Sequence, residues 1–438
     1  MIVQFSNFKN IFFVADLRKK LAFTLAVLAV YRFGAHVPVP GVNTSALSGL
    51  LSTGFTGGLI SYLDLFSGGA LRNFSIFALG MIPYINSSIM MQLLTVMVPT
   101  LEQLAKEGEY GRKVINQYTR YLAFGLSIIQ GFGISALVAS QPGIVINPGW
   151  GFRLTSVLIF SVGAMFIMWL GEQINSHGIG NGSSMIIFAG IVVGLPSAII
   201  KLINNVQMGQ TDPLVAGLLV LITIAVIMCV VFLERGERRV PVQYAKRVVG
   251  NKVYGGQSSY IPLKINPSGV IPVIFAGAII QLPMMIINML ASKFSALAFL
   301  SQWFGYNSFL FYVLQAGLII FFAFFYTAVI FNPVELADNI RKSGGFVPGI
   351  RPGKKTAEFF DYLLTRIGFP GAIYLASLAI LPSVLAYIFN FPIIFSGISL
   401  LIVIGVALDM SSQIETHLIE RRYEGFLSTG RLRGRSGR

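Results

Sequence analysis

Gly80-Met81-Ile82-Pro83-Tyr84-Ile85 and, 189 residues further on, Gly269-Val270-Ile271-Pro272-Val273-Ile274 are the two stretches on which the fold turns. Both read Gly-x-Ile-Pro-x-Ile, both lie in long apolar runs, and the same offset pairs Gln92 with Gln281. Each copy puts a proline inside a run of membrane length, where it frees a carbonyl and loosens the local helical ladder. About 20 apolar residues are needed to cross a bilayer as a helix. Ten runs qualify: 21–37, 74–101, 123–140, 154–171, 183–200, 214–233, 267–290, 309–331, 371–389 and 390–408. The last is broken early by Pro392 and Gly397, so its helix is expected from about Phe395. The matching stretches fall in the second and seventh runs, equivalent places in a five-plus-five repeat. A unit with an odd number of spans must be inverted when it recurs in one chain. The predicted fold is therefore an all-α polytopic membrane protein, ten transmembrane helices in two inverted five-helix halves.

Composition agrees. Of the 438 residues 55% are hydrophobic and 11% charged, whereas soluble domains carry about 25% charged residues. So few charges cannot cover a globule of this size in water, which excludes a single soluble domain and equally a disordered chain. The one cysteine, Cys229, excludes an intramolecular disulfide framework; in its apolar run it reads as a small buried hydrophobe.

Lys and Arg number 32 against 17 Asp and Glu. With ten spans, 27 of those 32 cations fall on one side, leaving only Arg32, Arg72, Arg153, Lys201 and Lys293 for the other side and its borders. The positive-inside rule then puts both termini in the cytoplasm. The first run follows the basic cluster Arg18-Lys19-Lys20, but Arg32 interrupts it and no small-x-small site closes it, so it reads as a retained helix rather than a cleaved signal. The chain divides into an arm (1–20), a first half (21–211), a second half (212–410) and a basic tail (411–438).

Two connections, 234–266 and 332–369, exceed thirty residues, where bundle connections run to about 2–8. Positive-inside bias explains their basic character but not their length, which favours a docking surface for an acidic partner. The outer segment between the first two spans contains Leu59-Ile60-Ser61-Tyr62-Leu63-Asp64-Leu65-Phe66 followed by Gly68-Gly69. Eight apolar residues are too few to cross. The pattern fits equally a short re-entrant helix hinged at the glycines or an interfacial helix on the outer leaflet.

Catalytic signatures are missing. There is no HExxH, His36, His177 and His417 are far apart, and no G-x-S-x-G elbow is present. The run 349–356 has one residue too few between its glycines for a phosphate loop and follows no strand, and 178–182 is a tight turn between spans. Asp64, Arg72, Glu172 and Asp409 all lie near span boundaries, so the midplane carboxylates that ion-coupled carriers use are lacking. No catalytic residue, metal or cofactor is expected.

Further stretches carry a family resemblance over essentially the whole chain: Phe66-Ser67-Gly68-Gly69-Ala70-Leu71, Ile76-Phe77-Ala78-Leu79-Gly80, Gln117-Tyr118-Thr119-Arg120-Tyr121, Trp169-Leu170-Gly171-Glu172-Gln173-Ile174, Tyr244-Ala245-Lys246-Arg247 and Phe346-Val347-Pro348-Gly349-Ile350-Arg351-Pro352-Gly353. In these the sequence resembles the bacterial SecY family of protein-conducting channels. The resemblance implies a central pore between the halves, closed by a ring of Met81, Ile85, Ile187, Ile274 and Ile402, with Ser183 standing where the family can place a further aliphatic residue. A narrow apolar constriction blocks ions by dewetting, without a charged filter. It also implies that residues 59–70 are the plug, through Leu59, Ile60, Leu63, Leu65, Phe66, Gly68 and Gly69, which decides for the re-entrant reading. The second and seventh spans would form a lateral gate with Asn86, Gln92, Asn266 and Leu282 as candidates, held shut by about 0.5–2 kcal/mol for a buried polar pair. Through that gate, segments apolar enough to prefer the lipid bilayer would leave sideways. Arg235, Arg239 and Lys246 of the first long loop and Arg351 of the second would dock the ribosome and the ATP-driven motor SecA, since clustered arginines suit RNA phosphate and acidic protein alike. SecE-like and SecG-like membrane subunits, signal sequences and nascent polypeptides complete the expected partners, and the setting would be the plasma membrane.

Overall fold

The structure, a computed structural model, describes residues 14–43, 47, 64, 66–139, 143–209, 212–244, 247–249, 252–254, 258–291, 308–388 and 397–429. Its helices are α1 (Ala15–Gly34), α2 (Ile82–Met97), α3 (Pro99–Lys106), α4 (Glu109–Ala139), α5 (Trp150–His177), α6 (Gly182–Gln207), α7 (Pro213–Glu234), α8 (Ile271–Ala291), α9 (Phe309–Ile330), α10 (Pro333–Lys342), α11 (Lys354–Ile388) and α12 (Gly397–Thr429). Each of the ten apolar runs overlaps one of the longer helices, though in 74–101 residues 74–81 are turns and an isolated bridge and 99–101 open α3; α3 and α10 are additional short helices. Among the described residues seven helices are long and apolar enough to cross a membrane, or eight if α2 and α3 form one span bent by 100°. That bend is set at Val98, which is extended, and Pro99, which starts a new helix instead of continuing the old one. Helix α8 adds a shorter apolar stretch, Ile271–Ile280, and α1 carries Asp16, Arg18, Lys19 and Lys20 near its start.

Helix starts follow local chemistry. Asp212 caps α7, its carboxylate accepting from the Leu214 N–H at 3.0 Å, with Pro213 in the first turn. Ser308 caps α9 through the Phe311 N–H, and Asn332 caps α10 through Val334 and Glu335. The two glycine–proline stretches behave alike. Gly80 and Gly269 both adopt left-handed backbone, at φ 55° and 59°, and α2 and α8 both begin two residues later. This corrects one expectation: Pro83 and Pro272 stand in the first turn of their helices, where a missing N–H costs little, and not in a helix interior. Interior prolines do occur, at Pro196, Pro283, Pro370 and Pro382.

The chain forms two compact units. One comprises Met1–Ser88, Gln117–Leu195 and Gly405–Arg438. Here α1 packs on α5, and the fully buried Tyr31, Phe74, Phe160, Ile167 and Ile186 fill the interior. Phe74 adopts φ 44°, a costly backbone for a residue with a β-carbon. Its ring is held edge-on to Phe160 at 4.9 Å and stacked on Phe152 at 6.1 Å, and its carbonyl accepts from the Val39 N–H at 2.9 Å.

The other unit comprises Ile89–Asn116 and Pro196–Ile404. Helix α9 packs between α8 and α11, and α10 packs on α11. The long connections fold: β1 (Glu237–Tyr244) and β4 (Ser258–Lys264) pair antiparallel from Glu237↔Lys264 to Gln243↔Ser258, and β5 (Gly345–Phe346), from the second connection, joins the other edge of β1. A separate hairpin pairs β2 (Arg247–Val249) with β3 (Lys252–Tyr254). Cys229 is exposed, against the expectation of burial, because α7 is apolar on every side and little of it is covered by the protein.

Candidate functional site

Leu59, Ile60, Leu63 and Leu65 lie outside the described residues, whereas Asp64, Phe66, Gly68 and Gly69 lie within them. The backbone at 66–70 is a short helix end followed by turns, with Gly68 at φ 64° and Gly69 at φ 86°. Asp64 is buried. Its carboxylate accepts from the Arg72 guanidinium at 2.6 Å and from the Arg72 backbone N–H at 3.1 Å, which closes residues 64–72 into a loop. The Ser67 hydroxyl donates to the Asp64 carbonyl at 3.2 Å and accepts from the Leu71 N–H at 3.3 Å. Two neighbours of this loop were not singled out as site residues from the sequence. The Tyr31 hydroxyl donates to the Ser67 carbonyl at 2.9 Å, and the Arg32 guanidinium donates to the Gly68 carbonyl at 2.6 Å. The signal for Arg32 was present as a charge interrupting an apolar run; Tyr31 gave none. On the other flank Gly68 meets Gly190 of α6 backbone to backbone, so that a β-carbon on Gly68 would stand 2.5 Å from the Gly190 Cα.

The ring residues divide between the units, Met81, Ile85 and Ile187 in the first and Ile274 and Ile402 in the second. Met81, Ile187 and Ile402 are buried, while Ile85 and Ile274, the pair related by the 189-residue offset, are both half-buried. Met81 follows the left-handed Gly80, and its methyl lies against Gly171 of α5. Ile187 is one turn past Ser183, in the first turns of α6, a helix started by Asn181, whose side-chain carbonyl accepts from the Ser183 N–H at 3.1 Å.

Of the gate candidates, Asn86 is buried in α2, and its side-chain nitrogen has no hydrogen-bond partner among the described residues. Gln92 is exposed on the same helix. Leu282 belongs to α8, and its side chain lies outside what is described. Asn266 is buried and fully engaged: its amide donates to the Glu234 carboxylate at 2.7 Å and to the Gly269 carbonyl at 3.0 Å, and its oxygen accepts from the Ser268 hydroxyl at 3.0 Å. It therefore ties the end of α7 to the turn that starts α8.

The docking candidates sit on a folded platform. Val240, Val242 and Leu263 of the sheet pack with Ile340 of α10, Val347, and Phe360, Leu363 and Leu364 of α11. Arg235 is exposed at the end of α7. Arg239 is exposed on β1, paired with Glu237 at 2.7 Å and lying 4.8 Å from the centre of the Tyr260 ring. Arg351 is exposed in the turn before α11, its carbonyl accepting from the Thr356 hydroxyl at 2.9 Å. Lys246 lies outside the described residues. Next to Arg351, the Lys355 ammonium lies 2.8 Å from Glu358 and holds that carboxyl below its usual range. Sequence reasoning read the two connections as separate loops and missed that they share one sheet. The alternation in Arg239-Val240-Pro241-Val242 was the available signal.

Comparison with known proteins bears on the family and the fold. A family model described as SecY matches residues 75–411. The chain is 43% identical to protein translocase subunit SecY of Aquifex aeolicus, over 96% of this chain and 98% of that one. It is 45% identical to the subunit of the same name from Escherichia coli strain K12, over 96% of each. Solved structures share the fold at lower identity. One is a protein-conducting channel (TM-score 0.63, 16% identity, 92% of this chain and 93% of that one), and another is Sec61 in a canine ribosome–channel complex from the endoplasmic reticulum (TM-score 0.59, 14% identity, 92% and 93%). With a family match across most of its length and relatives this similar from end to end, the chain belongs to the SecY family.

Proposed function

We propose that this chain is the channel-forming subunit of a protein translocase, passing unfolded secretory polypeptides across the bacterial plasma membrane and releasing hydrophobic segments sideways into the bilayer. Family membership over nearly the whole length carries the reading. The chain supplies a path and no catalytic chemistry.

In this reading Met81, Ile85, Ile187, Ile274 and Ile402 form a yielding aliphatic seal around threaded chain, and residues 59–70 close it from outside. The gate opens between α2 and α8, with Asn86, Gln92, Asn266 and Leu282 at its border. The side-chain nitrogen of the buried Asn86, which has no hydrogen-bond partner among the described residues, supports this, since a polar group left unsatisfied in a membrane helix is poised to take a new partner. Arg235, Arg239, Lys246 and Arg351 receive the ribosome and SecA, a role supported by the exposure of the three described arginines on a rigid sheet and helix base. SecE-like and SecG-like subunits flank the two halves, 21–211 and 212–410. Both termini, the arm 1–20 and the tail 411–438, are cytoplasmic, as the placing of 27 of 32 cations on one side supports.

The test is to place a photo-crosslinking residue at Ile85 or Ile402 in the reconstituted complex and to present a stalled secretory chain. Adducts at both positions are expected. Their absence, with the chain still bound, would overturn a route through this ring.

A further inference from the structure

We propose that Tyr31 and Arg32, adjacent in the last turn of α1, are positioning residues that latch the segment 66–70 in its closed place by binding its backbone carbonyls. The inference rests on the proposed role of 59–70 as the plug. The two donors reach two consecutive carbonyls, those of Ser67 and Gly68, at 2.9 and 2.6 Å. These carbonyls stand at the end of a helical turn; that of Ser67 also accepts from the Ala70 N–H at 3.3 Å, so Tyr31 is its second partner, and Arg32 takes the next carbonyl, that of Gly68. The α1 side chains therefore act as an external cap.

A blander explanation for Arg32 exists: a cation in the last turn of a helix suits the helix dipole. It explains the charge but not its direction. An arginine near a membrane boundary ordinarily extends its head to water, and this one is half-buried against Gly68 instead. Tyr31 is 1% exposed, so its hydroxyl would lose its only described partner if the segment left. On the opposite flank Gly68 and Gly190 meet without side chains, a backbone contact that guides the segment to one place. The Asp64–Arg72 pair is internal to the loop and would travel with it. Phe74, pinned between Phe152 and Phe160, marks where the fixed chain resumes.

A latch that reads carbonyls is indifferent to the side chains it holds. It sets how readily the segment opens without choosing what passes.

The experiment uses the full-length chain in liposomes, with Cys229→Ala to remove the exposed native thiol and Ser67→Cys as a reporter at a position that is 0% exposed. The reaction rate with a membrane-permeant maleimide measures opening. Tyr31→Phe with Arg32→Gln should raise that rate about tenfold or more, the shift expected from losing a charged and a neutral hydrogen bond, and Arg32→Lys should return it towards the parent. An unchanged rate in the double variant overturns the latch. Should that variant fail to insert, Arg32→Gln alone carries the same test, and an unchanged rate there is equally fatal. Deleting 59–70 separately tests the plug reading. If resting anion leak does not rise on deletion, the seal reading falls while the alkylation result still judges the latch.

Discussion

Gly68 is held at φ 64° with its Cα against that of Gly190. An added methyl meets two penalties at once, a left-handed backbone that L-residues avoid and a backbone neighbour that cannot swing aside. Gly68→Ala should cost about 1–3 kcal/mol, measured as a lower thermal midpoint of the purified chain. An unchanged midpoint would mean that the α6 contact gives way freely. For Asp64 and Arg72 the cost is smaller, because the arginine side chain is 52% exposed. A double-mutant cycle with Asp64→Asn and Arg72→Gln should return a coupling of about 1 kcal/mol, and additive single effects would remove the pair from the account of how this loop closes. At this scale the sequence was legible where one residue is odd for its surroundings. Arg32 in an apolar run and the Gly68-Gly69 pair announced themselves. Tyr31 did not, because an aromatic residue in a membrane helix is unremarkable until its hydroxyl has a partner.

Among the elements, the sheet that joins both long connections supports the arginines proposed to dock partners. Leu263 is 1% exposed beneath it, so Leu263→Ala should destabilise the platform by about 2–5 kcal/mol. This should appear as protease cleavage within 234–266 before the membrane helices unfold. Arg351→Glu changes an exposed side chain and should leave that cleavage pattern unchanged while abolishing motor-driven transport; normal export in this variant would free Arg351 of its assigned role. Helices were legible here, since length and apolarity are local properties, and the capping residues Asp212, Ser308 and Asn332 stand where their helices begin. The pairing of β1 with β5 was not, because it joins residues about a hundred positions apart, and two-residue strands leave almost no pattern to read. Proline misled for a related reason. Pro83 and Pro272 look like interior kinks when a run is judged by hydropathy alone, and only the left-handed glycine two residues before each helix start shows that the helix begins there.

For the whole molecule, a resting channel must hold ions back while admitting a polypeptide. Changing Ile85 and Ile274 together to Gly should make the closed complex conduct ions in a planar bilayer, because a widened constriction no longer dewets. A resting conductance equal to the parent would count against this ring as the seal. Ten spans and an inverted repeat could be read from the chain because bilayer thickness imposes a length on every crossing helix. Which face of each helix meets lipid and which meets protein could not be read, since both surroundings are apolar. Cys229 shows the point: hydropathy placed it inside, and the fold leaves it outside.

The ribbon of β1 and β4 runs directly out of α7 and towards α8, with only Arg235 and Gly236 between the first helix and its strand, and it is closed at the base by the Ile265 N–H on the Gly236 carbonyl. Its seven paired positions, Glu237↔Lys264 through Gln243↔Ser258, make a stiff arm roughly 20 Å long. Asn266 bolts that base to Glu234 and Gly269. A push at the far rung would therefore bear on two membrane helices together, and such an arm would act as a crank handle that needs no contact with lipid.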